Sequence, residues 1–214
     1  MTQDNWGRTT AAEPKPSVTP GKEQTGQPIT IHSEPSYIEV IDNKIYFYAE
    51  IERDKVLQLV KNIRNLNNAF QNQQRSFDIS GTIPIHIYIN SFGGSIFAGL
   101  SVMDEIINSK LPITTIIDGC CASAATLFSV VGKHRMMKAH SYMLIHQLSS
   151  VFWGKHAEFK DEMENLDRLM KMIKTTYKEY TKIPMKKLEE ILKHDLWLDS
   201  KTCLEYGLVD EIMA

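Results

Sequence analysis

Ser123 lies in the run Gly119-Cys120-Cys121-Ala122-Ser123-Ala124-Ala125. The β-branched stretch Ile113-Thr114-Thr115-Ile116-Ile117 precedes it and Thr126-Leu127-Phe128-Ser129-Val130-Val131 follows. This pattern predicts a buried strand, a small-residue turn and a buried helix with Ser123 at its start. Amide donors at a helix start lack intrahelical partners, and the macrodipole there is positive, so negative charge is stabilised beside the hydroxyl. Small neighbours on both sides let another chain approach. These are the surroundings of a nucleophile; the plainer reading is a helix N-cap, a frequent role of serine. A second glycine-containing turn, Gly93-Gly94, closes the run Ile85-His86-Ile87-Tyr88-Ile89. Backbone amides near Gly94, facing those of Ser123 and Ala124, would together stabilise an oxyanion. Taken alone, a Gly-Gly pair is an ordinary tight turn.

Acyl transfer by serine also needs a base within hydrogen-bond reach and a group that orients it. Seven histidines compete: His32, His86, His134, His140, His146, His156 and His194. His32 falls in a polar N-terminal segment, His156 and His194 fall on polar helical stretches, and His86 alternates within a strand. His146 ends the apolar run Tyr142-Met143-Leu144-Ile145 and precedes the polar turn Gln147-Leu148-Ser149-Ser150, where an imidazole can reach a neighbouring site. Its plain alternative is a satisfied core histidine. Asp195 precedes Leu196-Trp197-Leu198, which predicts a partly buried carboxylate; its plain alternative is a helix-end cap.

The elements that must hold these groups alternate along the chain. Residues 1–30 are rich in Pro, Thr, Gln, Gly and Lys, too poor in apolar area to offset the entropy of ordering, and read as a flexible tail before a domain over 31–214. Short strands are predicted at Ile29-Thr30-Ile31, Tyr37-Ile38-Glu39-Val40 and Ile45-Tyr46-Phe47-Tyr48, with a tight turn at Asp42-Asn43. Asp54 is placed to cap a helix with Val56, Leu59, Val60, Ile63, Leu66 and Phe70 on one face, followed by a polar loop over 72–80. A helix after Gly94 turns Ile96, Leu100, Met103 and Ile107 inward. Strands at 134–138 and 142–146 follow. The longest helix, over 155–181, carries Phe159, Met163, Leu166, Met170, Ile173 and Tyr177 in a narrow stripe suited to helix packing or a subunit interface. Pro184 starts a further helix, Ser200 caps the last one and Gly207 ends it. Strand–helix alternation implies parallel pairing with functional turns at the strand ends, hence an α/β fold.

Bulk properties narrow the partners. A chain of 214 residues fits one domain with a substantial core. With 24 basic and 26 acidic residues and a net charge of −2, no basic face invites nucleic acid. No apolar run approaches membrane-spanning length, and the N-terminus lacks a signal-peptide core. Three cysteines, Cys120, Cys121 and Cys203, form neither a CxxC pair nor an even set, so they read as reduced small hydrophobes of a soluble cytoplasmic protein.

Four runs, Ile87 to Ser95, Gly119 to Ala125, Met143 to Gln147 and Glu205 to Asp210, resemble the proteolytic subunit of the Clp protease, ClpP, in order and in spacing, over about residues 37–214. The resemblance implies the ClpP/crotonase-like α/β fold, with helix 155–181 as its protruding handle. It implies Ser123 as nucleophile, His146 as general base, Asp195 as the orienter of that base, and the amides of Gly94 and Ala124 as oxyanion hole, with no metal or cofactor. It further implies peptide-bond hydrolysis of unfolded chains inside heptameric rings, two of them stacked, served by a Clp-family ATPase unfoldase. The chain departs from the family pattern at Phe92 (for Pro), at Ala124-Ala125 (for Met-Gly), at Ser149-Ser150 (for Gly-Gly) and at Leu196 (for Arg). An ATPase-independent phage-type maturation or scaffold protease uses the same chemistry. A crotonase-like acyl-CoA enzyme shares the paired amides but has no use for a Ser–His pair, and a non-catalytic ring subunit needs no triad.

Overall fold

The computed structural model describes residues 37–77 and 82–213. The expected tail over 1–30, the strand at 29–31 and His32 lie outside these residues. The chain opens with an antiparallel hairpin, β1 (Ile38–Ile41) and β2 (Lys44–Phe47). Asp42 bends it at a φ of 54°, a left-handed turn conformation that Asp tolerates, as the Asp42-Asn43 pair predicts. Then come α1 (Arg53–Phe77), β3 (Ile85–Ser91), α2 (Ile96–Ile107), β4 (Ile113–Ala122), α3 (Ala124–Ser129), β5 (His134–Lys138) and β6 (Tyr142–Leu144). The C-terminal part adds α4 (His156–Tyr180), α5 (Met185–Ile191), β7 (Leu198–Asp199), α6 (Ser200–Glu205) and β8 (Glu211–Met213).

The sheet order is β1-β2-β3-β4-β5-β8, parallel from β2 to β8, with β6 branching parallel from β4 and β7 antiparallel to β6. Ile85, Ile87 and Ile89 of β3 and Ile113, Ile116 and Ile117 of β4 are buried, as central parallel strands require. Val56, Leu59, Val60 and Ile63 of α1 join the same core, each fully buried aliphatic side chain contributing roughly 1.5–3 kcal/mol.

The branch in β4 positions the site. Between the Ile89–Ile117 and Ser91–Cys121 pairs, β4 carries two extra residues, Asp118 and Gly119. Gly119 adopts a φ of 101° there, and a Cβ on it would come within 2.7 Å of Asn90 Nδ2. Ser141 staples the irregularity: its Oγ accepts from the Gly119 amide at 2.8 Å and donates to the Ile117 carbonyl at 3.1 Å. Past this bulge β4 swings away from β5 and pairs instead with β6.

Several local expectations are revised. The polar stretch after Phe70 does not form a loop at 72: α1 continues to Phe77, and Asp54 sits in its first turn, where it complements the helix dipole. On α2, Ile96, Leu100 and Met103 pack against the core as expected, but Ile107 is exposed, and the fully buried residues are Ala98, Gly99, Val102 and Ile106. Gly99 lies on the fully buried face, its bare backbone so close to α3 that a Cβ would lie 3.1 Å from Ala124 O. Asp199, not Ser200, caps α6, its carboxylate accepting from Thr202 N at 2.8 Å; Ser200 Oγ donates to Ala139 O instead. Strand β4 runs five residues beyond the expected 117, and β6 stops two short of 146. The α4 stripe divides: Ile173 and Tyr177 are buried, whereas Phe159 and Met163 are exposed, Met163 by 58 %.

Candidate active site

Two turns meet edge to edge at the carboxyl ends of β3 and β4. In the first, Gly93 and Gly94 adopt φ values of 102° and 138°. Backbone contacts fix it: Ile51 N–H donates to Gly93 O at 2.7 Å and Ser95 N–H donates to Ile51 O at 2.9 Å. A Cβ on Gly94 would lie 2.7 Å from Ile51 O, and one on Gly93 would lie 2.6 Å from Ser123 Cβ. Only glycine allows this approach. Ile51 and Ser141, which brace the two turns, have no signal in the sequence, since both act through contacts distant along the chain.

In the second turn Ser123 holds φ 54° and ψ −128°, a conformation that costs a non-glycine residue roughly 1–3 kcal/mol. Neighbouring groups hold it: Ser123 N–H donates to Leu144 O at 2.9 Å, and Ser123 O accepts from the Thr126 amide at 3.0 Å. The residue occupies the N-cap position of α3, yet its side chain makes no cap bond. Among the described residues the Ser123 hydroxyl, the Gly94 N–H and the Ala124 N–H donate to no protein acceptor. All three residues line one cavity of about 290 Å³.

His146 lines the same cavity, with Leu127 and Ile173 on its apolar side. Its backbone position follows from the next residue, because Gln147 N–H donates to Leu192 O at 2.8 Å and ties the segment after β6 to the end of α5. That tie brings His146 Nδ1 to 3.5 Å from Asp195 Oδ1. The imidazole is 24 % exposed, whereas the Asp195 carboxylate is 79 % exposed rather than partly buried. The reason is that Leu196 and Trp197, expected to cover Asp195, themselves face solvent, Trp197 edge-to-face with Phe92. Phe92 is not among the residues lining this cavity; with Tyr142 and Trp197 it lines a separate apolar one. His134 is drawn into a surface cluster with Glu211 and Asp210, away from these turns. Cys121 and Cys203 are buried, with burial raising both thiol pKa values, and Cys120 is half-buried.

A hydroxyl free of structural bonds, an imidazole and two undonated amides around one small cavity can perform acyl transfer. Comparison with known proteins leads to the same chemistry. Residues 40–214 match the Clp protease family model. The ATP-dependent Clp protease proteolytic subunit of Streptococcus mutans is 29 % identical over 172 residues, covering 78 % of this chain and 88 % of that protein. The ATP-dependent Clp protease proteolytic subunit 2 of Treponema denticola is 35 % identical over 136 residues, covering 63 % of this chain and 68 % of that one. The solved structure of a ClpP1 N165D mutant from Listeria monocytogenes superposes with a TM-score of 0.66 at 24 % identity, over 78 % of this chain and 88 % of that one, and shares the fold. The chain belongs to the Clp protease family of serine peptidases.

Proposed function

We propose that Ser123, His146 and Asp195 are the nucleophile, general base and orienter of this peptidase, with the Gly94 and Ala124 amides as its oxyanion hole. Ser123 Oγ attacks the scissile carbonyl while His146 takes the hydroxyl proton. The two amides receive the oxyanion, and its collapse expels the amine, which carries away the proton from His146. Water then hydrolyses the acyl-enzyme with the same base. Asp195 holds the imidazole tautomer through Nδ1–H; at 3.5 Å and largely in solvent, this contact tightens on substrate binding. The observation that carries the reading is the strained, uncapped Ser123 facing the same cavity as His146 and two amides without acceptors.

A fluorophosphonate probe tests it. The wild-type chain is expected to label at Ser123, and Ser123→Ala is expected to abolish labelling and lower peptide hydrolysis by about 10⁴-fold or more, at unchanged particle mass. Hydrolysis that persists in Ser123→Ala overturns the assignment.

The same proposal extends to assembly in the cytoplasm as rings that enclose the sites and receive unfolded chains from a Clp-type ATPase. No helix among the described residues is long and apolar enough to cross a membrane. Support for assembly comes from Phe159 and Met163 of α4, two exposed apolar side chains set among charged neighbours. Met163→Asp would place an unpaired charge in that contact and is expected to reduce the sedimenting mass. An unchanged mass removes α4 from the interface. ATP-dependent degradation of a folded substrate with a Clp ATPase present tests the partner, and its absence removes that part of the proposal.

A further inference from the structure

Tyr177 occupies a core position that phenylalanine would fill equally well, yet it brings a hydroxyl into a site where only 2 % of the residue is exposed. Such a hydroxyl is costly unless bonded. Its partner is Thr126 Oγ1 at 2.5 Å, across 51 residues of sequence. Thr126, itself fully buried, donates through Oγ1 to the carbonyl of Ser123 at 2.6 Å, and its amide donates to the same oxygen at 3.0 Å. A threonine hydroxyl has one proton, so with that proton on Ser123 O the Tyr177 hydroxyl is the donor to Thr126 Oγ1. Burial raises the Tyr177 pKa above its ordinary value, so the proton stays in place across the working pH range.

The chain of contacts therefore runs from α4, through Tyr177 and Thr126, to the backbone carbonyl of the one residue in the site that is held in a strained left-handed conformation. A second restraint on the residue comes from outside, where the Ser123 amide bonds Leu144 O. Without the hydroxyl pair, the carbonyl side of the turn keeps only the Thr126 amide among the loop and turn contacts. Strained backbone of this kind persists only where its surroundings over-determine it.

We propose that Tyr177 and Thr126 are positioning residues that tie α4 to the backbone of Ser123 and set the direction of its hydroxyl. The inference rests on Ser123 being the nucleophile. It makes α4 a mechanical support of the site as well as an exposed apolar helix, so a shift of α4 reaches the nucleophile through two hydrogen bonds.

The experiment compares Thr126→Val, Tyr177→Phe, the double variant and Thr126→Ser, in the full-length chain. Each is measured by the rate of Ser123 labelling with a fluorophosphonate, by kcat and KM on a peptide, and by thermal midpoint. Thr126→Val alone leaves the Tyr177 hydroxyl buried without a partner and is expected to lower the midpoint. Removing both hydroxyls together restores an apolar contact and is expected to recover the midpoint. The double variant nevertheless labels about tenfold more slowly than wild type, with kcat reduced and KM within about twofold, because a sub-ångström error at a nucleophile is costly to rate. Thr126→Ser keeps the hydroxyl and the wild-type labelling rate.

A double variant with both wild-type midpoint and wild-type labelling rate overturns the relay, since the pair would then be core packing alone. If the double variant does not fold, Thr126→Ser decides together with Tyr177→Phe. Slow labelling in Tyr177→Phe with normal labelling in Thr126→Ser supports the relay, and any other pattern overturns it. Failure of the wild-type chain to label at Ser123 is a separate result, and it removes the nucleophile assignment itself.

Discussion

The two strand–turn–helix units that form the site share one plan and use their serines in opposite ways. In the first, β3 turns through Gly93-Gly94 into the twelve-residue α2, and Ser95 caps that helix by accepting from Ala98 N at 3.4 Å. Its left-handed angles fall on glycines, which adopt them readily. In the second, β4 turns into the six-residue, wholly buried α3, and the left-handed angle falls on Ser123, whose side chain caps nothing. The bracing that a serine cap gives in the first unit comes in the second from Thr126, which bonds Ser123 O through both amide and hydroxyl. Ser123, the nucleophile proposed above, is thus distinguished from Ser95 by what its hydroxyl does not hold up, with the structural work moved to a neighbour three residues on.

The largest effect that follows is a separation of function from stability. Ser123→Ala removes the proposed nucleophile but no structural bond, so its thermal midpoint is expected to equal or exceed that of the wild type while labelling disappears. A large loss of midpoint would mean that Ser123 is structural like Ser95, and the contrast between the units would fail. Next in size is Gly93→Ala. Its Cβ would press on Ser123 Cβ at 2.6 Å and on Ala122 O at 2.7 Å, from a φ that disfavours any side chain. Destabilisation of about 2–4 kcal/mol is expected, with activity falling more than Ser95→Ala lowers it. Denaturant unfolding and peptide hydrolysis check the two halves, and a variant with wild-type values for both would show that the turns do not touch in solution.

Much of this arrangement is legible in the sequence because it depends on short-range patterns. The runs of β-branched residues ending in small-residue turns locate both units, and they single out Ser123 and Gly94 before any contact is known. What is illegible depends on distance. Nothing near Asp195 signals that Leu196 and Trp197 face solvent and leave it exposed, because hydrophobic neighbours in sequence need not be neighbours in cover. On α2 the expectation holds for Ile96, Leu100 and Met103 and fails for Ile107, and the close approach of Gly99 to α3 on the buried face is not visible in the apolar pattern. The stretch after Phe70 is polar but made largely of good helix formers, Gln and Arg among them, and a helix already nucleated over 53–70 propagates through it at little cost. Ser141 and Tyr177 act across 22 and 51 residues, beyond the reach of any local pattern.

The smallest effect tests the other side of the comparison. Ser95→Ala deletes the α2 cap and leaves the Ala98 amide without its side-chain acceptor, for an expected loss of about 1 kcal/mol. The backbone of the first turn does not depend on that hydroxyl, since Ile51 grips it through the Gly93 carbonyl and the Ser95 amide, both of which survive the substitution. The Gly94 amide therefore stays where it is, and the labelling rate of Ser123 is expected to remain within about twofold of wild type. Thermal unfolding together with labelling kinetics reads both quantities from one sample. If Ser95→Ala slowed labelling as much as it lowered stability, the cap and the Gly94 amide would be one mechanical unit. The glycine turn would then be as dependent on its serine as the second turn is on Thr126.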